Sequence, residues 1–248
     1  MIPIGDDNSD RRSTPGVTWL LIAVNVFVFA ALQGFGTNQR FTLAYATVPA
    51  EILSGRDIAG DVPIRDDYGR QVGTVELQPT PIPVYLTLVT SMFLHGGIAH
   101  LFGNMLYLWI FGDNLEDALG HLRYLIFYLL TGVIAGLSHV LVTAASGANP
   151  LIPSLGASGA ISGVLGGYIV VFPRRRVRVI FLYSIMEVPA MLAIGLWFVF
   201  QVLSGAGSLG GQMTGVAYGA HVGGFIAGLL LVKPFGGDRR RAIPRYGA

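Results

Sequence analysis

GASGAISGVLGGYIVVF, residues 156–172, is an uncharged run holding five glycines, two serines and one tyrosine. Glycine inside a helix costs about 1 kcal/mol relative to alanine in water, whereas membrane helices use it for close packing. Seventeen residues at 1.5 Å each give a helix of ~25 Å, short of the roughly 30 Å hydrocarbon core. The helix is therefore expected to start below the membrane surface, fed by the uncharged connection around Pro150 and Pro153. Ser158 then falls in its first turn, where free N–H groups and the positive end of the helix dipole stabilise an anion. Irregular backbone at that depth is tolerated where it lines a watery cavity. The sequence thus predicts a water-accessible pocket at Ser158.

The rest of the chain has the same solvent in mind. Of 248 residues, 52% are hydrophobic and only 12% charged, which places the chain among polytopic membrane proteins. A net charge of +2 gives no reason to expect nucleic acid, and the absence of cysteine excludes disulfides, thiolate catalysis and cysteine metal sites. Besides 156–172, five stretches approach the length of a span: 17–33, 96–112, 122–143, 188–204 and 215–232. Among the six, only Arg123 at one edge is charged. Arg11 and Arg12 ahead of the first stretch would also suit a signal peptide. The long apolar core and the lack of a small-x-small cleavage site favour a retained span. The expected fold is an all-α polytopic membrane protein of six transmembrane helices with a long external loop after the first.

Orientation follows from the basic residues. With six spans the termini share a side, which takes twelve of the sixteen, including Arg174, Arg175, Arg176 and Arg178 and the tail from Lys233. The positive-inside rule puts both termini in the cytoplasm. The arginine runs read first as topology signals and second as sites for anionic lipid. The domains are then a cytoplasmic tail 1–16, a membrane domain 17–232 and a basic cytoplasmic tail 233–248. Within the external loop, about 34–90, residues 61–65 and 71–77 flank Asp66-Asp67-Tyr68-Gly69-Arg70 and read as a β-hairpin. Pro79, Pro81 and Pro83 follow as an extended entry to the second span.

The histidines are His95, His100, His121, His139 and His221. His221 lies in an apolar stretch, and an ionisable group there is a functional-site hypothesis by default. A serine hydroxyl and an imidazole are the minimum equipment for nucleophilic catalysis. Gly159, Gly163 and Gly167 form a four-residue ladder; Gly215, Gly219 and Gly223 form another, with Gly224 and Gly228 beside it. Such ladders let backbones approach closely, so His221 is expected to face Ser158 from a neighbouring helix. His100, Asn104 and Tyr107 share a helix face. The first two suit either a structural hydrogen-bond pair or two donors aimed at a developing negative charge. Serines and glycine ladders are also ordinary packing features, and a lone histidine also serves proton relays and transporters.

Together these motifs resemble the rhomboid family of intramembrane serine proteases, over about Thr90 to Val232. His100-Leu101-Phe102-Gly103-Asn104 is similar to its His-xxx-Asn, Gly156-Ala157-Ser158-Gly159 to its Gly-x-Ser-Gly, and Ala220-His221-Val222-Gly223-Gly224 to its Ala-His-xx-Gly. Gly112 through Asp117, with Glu116, is similar to the loop after the family's second helix. The resemblance implies a dyad in which Ser158 is the nucleophile and His221 the general base and acid. It also implies an oxyanion site from the Ser158 N–H and the side chains of His100 and Asn104, shaped by Gly156, Ala157 and Gly159. Some members carry an aromatic residue four positions after the nucleophile. Here that residue is Ser162, so His221 is expected to be oriented by Ser162 or by packing on glycine. Leu86-Thr87 replaces a Trp-Arg pair of many members, so the external loop is expected to be anchored differently.

The activity implied is hydrolysis of peptide bonds in or near transmembrane segments of other membrane proteins, without metal or cofactor. Substrates would carry small residues at a helix that unwinds near the outer face. The partners implied are transmembrane substrates and the lipid bilayer, with oligomeric state open. The location implied is a bacterial plasma membrane, with the site opening externally. A non-catalytic protein that binds transmembrane helices is the second reading. A small transporter using His221 is the third, weakened by the lack of buried carboxylates and of a repeated half.

Overall fold

A computed structural model describes residues 2–65, 69–208 and 217–237. Residues 66–68 of the hairpin turn, Gly215 of the second ladder and 238–248 of the basic tail lie outside the described residues. The chain opens with strand β1 (Ile2–Asp6), then helix α1 (Gly16–Phe27), prolonged by a π-helical turn to Leu32. Short helices α2 (Gln39–Tyr45) and α3 (Pro49–Ser54) lead to the hairpin β2 (Gly60–Arg65) and β3 (Gln71–Leu77). One helical turn, α4 (Thr87–Thr90), precedes α5 (Ile98–Leu119) and α6 (His121–Ser146). Then come α7 (Ser158–Val171), strands β4 (Arg176–Phe181) and β5 (Ser184–Pro189), α8 (Ala190–Ser208) and α9 (Tyr218–Leu231).

The hairpin forms where the sequence predicts it, with Asp61 opposite Glu76 and Val62 opposite Val75. The expectation of an all-α fold outside the external hairpin needs correction: a three-stranded antiparallel sheet, in the order β1-β4-β5, closes one end of the bundle. Its cause is the period-2 alternation of Arg176-Val177-Arg178-Val179. Val177 and Val179 turn into the hydrophobic core while Arg176 and Arg178 stay exposed, the pattern of a sheet buried on one face. The arginines therefore belong to a folded strand as well as to any charge asymmetry.

At the same end the α5 acids cap α1. Glu116, fully buried, accepts from the Val17 and Thr18 N–H groups and from Thr18 Oγ1, the interaction a helix N-terminus offers a carboxylate. Asp117 accepts from the Arg12 and Ser13 N–H groups and from Ser13 Oγ.

Helix α7 is the centre of the molecule, packed on α5, α6 and α9 and sealed by Leu165 and Tyr168. Aliphatic and aromatic side chains such as Leu20, Trp109, Leu141, Leu203 and Leu230 are exposed on the outside, while Thr18, Asn25, Glu116 and Thr131 are buried within. That distribution suits lipid rather than water as the surrounding solvent. Among the described residues, α6 and residues 190–207 of α8 are long and apolar enough to cross a membrane. A third crossing forms if Val84–Phe93 and Ile98–Leu119, bent by 82°, act as one span. Gly16–Leu32, Ser158–Val171 and Tyr218–Leu231 are shorter apolar helices.

Candidate active site

The turn into α7 is built on Gly156. Its φ of +131° is a backbone conformation that side chains rarely adopt, and its N–H donates to the Ser91 carbonyl at 2.9 Å. Ala157 caps the helix without a side-chain hydrogen bond, so the N–H groups of the first turn point out with no intrahelical acceptor. Ser158 is the first residue of that turn and is half-buried.

Helix α9 brings His221 to it. The backbones of α7 and α9 nearly touch: a methyl on Gly224 would collide with the Gly159 carbonyl, and one on Gly228 with the Gly163 carbonyl. The residues of α9 facing α7 are thus Gly224 and Gly228. Gly219 and Gly223, the predicted ladder, face His139, Val142 and Ser138 of α6 instead. With the helices this close, His221 Nε2 lies 2.8 Å from Ser158 Oγ.

The other nitrogen of His221 is also engaged. Nδ1 lies 2.7 Å from Oε1 of Gln201, a buried amide on α8. Trp197, one turn earlier on α8, sets its ring centroid 6.1 Å from that of His221, and Tyr218 meets it edge-on at 6.3 Å. Ser162 does not hydrogen-bond His221: its Oγ donates to the Ser158 carbonyl at 2.7 Å. The reason is helical, since a serine hydroxyl four residues on reaches the preceding turn's carbonyl. Reading by motif missed Gln201. The available signal was a full-sized amide in an otherwise apolar segment.

His100 and Asn104 sit on α5 beside the same turn. A Cβ on Gly156 would come within 2.9 Å of His100 Nε2 and 3.6 Å of Ser158 Oγ, so imidazole and hydroxyl both lie close to the bare face of this glycine. His100 Nδ1 accepts from the Gly96 N–H at 3.3 Å, which leaves Nε2–H as the free donor of a neutral ring. Asn104 is buried, and among the described residues its Nδ2 has no hydrogen-bond partner. Buried donors are nearly always satisfied, so this amide is a donor available to an acceptor at the site. Tyr107 packs on Phe111 and Trp197. A cavity of about 30 Å³ adjoins Ser158, lined among others by Ser91, Met92, His139, Ser154 and Gly156; that is room for a water molecule. Among the described residues, no three His, Asp or Glu side chains gather to hold a metal ion.

The long loop is tied to this site by threonines. Thr47 Oγ1 lies 2.9 Å from both the Thr87 carbonyl and Ser91 Oγ, Thr47 N–H donates to the Ser154 carbonyl, and Thr90 Oγ1 donates to the Tyr45 carbonyl. The anchoring that Leu86-Thr87 left open is thus made through backbone carbonyls and hydroxyls.

An outward-facing apolar surface, a serine at a helix start and an imidazole hydrogen-bonded to it describe an integral membrane protein with a paired serine and histidine. The Rhomboid domain model matches residues 83–237, and the chain belongs to the Rhomboid family. It is 26% identical over 241 residues to Rhomboid protease GluP of Bacillus subtilis (strain 168), covering 96% of this chain and 37% of that protein. It is 31% identical over 156 residues to Rhomboid protein 1, mitochondrial, of Saccharomyces cerevisiae, covering 62% and 43%. It is also 31% identical over 139 residues to the human Presenilin-associated rhomboid-like protein, mitochondrial, covering 53% and 36%. The chain thus spans well under half the length of these relatives.

Proposed function

We propose that this protein is an intramembrane serine endopeptidase acting on transmembrane segments of other membrane proteins. The observation that carries the reading is the 2.8 Å contact of Ser158 Oγ with His221 Nε2 at the start of a buried helix. Family membership supports the same chemistry. Ser158 Oγ attacks the scissile carbonyl as His221 Nε2 takes its proton. The carbonyl oxygen, now negative, accepts from the Ser158 N–H, His100 Nε2–H and Asn104 Nδ2–H. Collapse breaks the C–N bond, and the His221 proton leaves on the amine. A water in the adjoining cavity, activated by the same imidazole, hydrolyses the acyl-enzyme. None of these steps calls on a metal or cofactor.

In this reading the six apolar helices α1, α5, α6, α7, α8 and α9 are six spans. Helices α7 and α9, at 14 residues each, start inside the membrane at a water-filled recess. The basic residues hold the β1-β4-β5 end in the cytoplasm, so the site opens to the opposite side through the 34–90 loop. Substrates with small residues and a readily unwound helix suit the close quarters at Gly156. The test is reconstitution of wild type and Ser158→Ala in liposomes with a model transmembrane substrate. Cleavage by the wild type alone is the expected result. Equal cleavage by both variants assigns the nucleophile elsewhere. Inertness of both, with no labelling of Ser158 by a fluorophosphonate, favours a helix-binding protein instead.

A further inference from the structure

The imidazole of His221 has two tautomers, and only one of them can act on Ser158. A neutral ring must leave Nε2 unprotonated to accept the Oγ proton, which requires the hydrogen on Nδ1. Among the described residues the atom that faces Nδ1 is Gln201 Oε1, at 2.7 Å. We propose that Gln201 is the positioning residue of the site, holding His221 in the Nδ1–H tautomer through this amide carbonyl. The inference rests on the protease reading for its consequence, but not for its geometry.

Three features make the amide suited to the task. Gln201 is buried, 7% exposed, and sits in an apolar helix where an unused polar group is expensive. It is one turn from Trp197, whose ring flanks the imidazole at 6.1 Å, so one face of α8 supplies both the hydrogen bond and the wall. Finally, the amide is neutral. Its carbonyl accepts from Nδ1–H both before and after Nε2 gains its proton, without adding a charge to a buried site. During attack the Oγ proton moves to Nε2 and the positive charge spreads over the ring. The Nδ1–H···Oε1 bond strengthens at that moment, as a charge-assisted bond does. The proton then departs from Nε2 to the leaving amine, and Nδ1–H never leaves the ring. Gln201 thus fixes the ring and touches neither substrate nor the reacting atoms.

Gln201→Met keeps the length of the side chain and removes the acceptor; Gln201→Glu keeps an acceptor oxygen at the same reach. The full chain with ¹⁵N-histidine, in micelles at a pH where the ring is neutral, reports the tautomer directly. The His221 signals are assigned by their loss in His221→Phe. Wild type and Gln201→Glu are expected to show a protonated Nδ1 and a bare Nε2, and Gln201→Met a mixture. In liposomes Gln201→Met should lower kcat at least about ten- to a hundredfold, the cost of losing the partner that orients a metal-bound histidine. Its KM should stay within about twofold, and fluorophosphonate labelling of Ser158 should slow with kcat. Gln201→Glu should recover most of the loss.

A single Nδ1–H tautomer with wild-type rates in Gln201→Met overturns the proposal. So does an Nε2-protonated ring in the wild type, a measurement that needs no variant to fold. Equal loss in both variants with the tautomer unchanged makes Gln201 a packing residue only and overturns it too. If the wild type neither cleaves nor labels, the protease reading fails, and the tautomer spectrum still decides the role of Gln201.

Discussion

Asn104 carries a hydrogen-bond donor that the resting structure leaves unused among the described residues. Its Nδ2 is buried, while its neighbour His100, one helical turn away, keeps Nε2–H free beside Gly156. In the proposed reaction, two such donors beside Ser158 are of little value to the ground state and of full value to an oxyanion, because they need no reorganisation when charge develops. Asn104→Ala should therefore lower kcat on the order of a hundredfold, with KM and thermal stability nearly unchanged. Steady-state kinetics alongside a melting curve separate this from a structural role, which would lower the melting temperature as well. Wild-type kcat in Asn104→Ala would remove the amide from the oxyanion site. Much of this site was legible in advance, because serine, histidine and asparagine in apolar segments are conspicuous. Gln201 was not: its meaning depends on α8 standing beside α9, and nothing in the spacing between positions 201 and 221 encodes that.

At the scale of elements, the approach of α7 and α9 decides whether the site exists at all. Glycine ladders announced close packing, but their partners had to be seen, since each helix has more than one glycine face. Gly228 is the sharpest case, with a built Cβ meeting the Gly163 carbonyl, backbone that cannot rotate away. Gly195 on α8 is the control, because a Cβ there meets nothing within 4 Å. Alanine is the better helix former by about 1 kcal/mol, so Gly195→Ala should be neutral or stabilising. Gly228→Ala should instead destabilise by about 1–3 kcal/mol, the usual range for overpacking. It should also reduce cleavage, although it lies seven residues from His221, or roughly 10 Å along the helix. Thermal unfolding and cleavage of the pair, measured in one detergent, check this. Equal behaviour of the two variants would mean that α7 and α9 do not depend on contact. The six apolar helices were readable from the length of their uncharged apolar stretches, and the β2–β3 hairpin from its flanking strands and turn residues. The β1-β4-β5 sheet is harder to read, because Arg176, Arg178 and their neighbours carry two signals at once, charge and alternation, and the charge alone already has a meaning as a topology signal.

Across the whole molecule, the N-terminal strand couples the sheet to the central helix through one carboxyl group. Asp6 accepts from the Tyr168 hydroxyl on α7 and from Asn114 Nδ2 on α5. Arg175 ties Asn114 Oδ1, the Asp7 carbonyl and Asp10 into the same network. Burial pushes the Asp6 carboxyl up from its ordinary 3.8 to about 7; nearby Asp113 adds to this, and the Tyr168, Asn114 and Arg175 partners oppose it. The sign follows from proton counting. Between about pH 4 and 7 the docked strand holds a proton that the undocked strand has lost, so docking weakens as pH rises through that window. The dependence is at most about 1.4 kcal/mol per pH unit, and it levels off above 7. Amide hydrogen exchange of residues 2–6, corrected for intrinsic rates, should show protection falling from pH 5 to pH 7. Protection of α7 should hold over the same range, and Asp6→Asn should flatten the curve for the strand. If residues 2–6 are equally protected at pH 5 and pH 8, Asp6 is docked without regard to its charge. The strand would then be held by the β1–β4 ladder alone. A fall in protection instead makes this end of the fold sensitive to pH near neutrality, at the far end of α7 from Ser158.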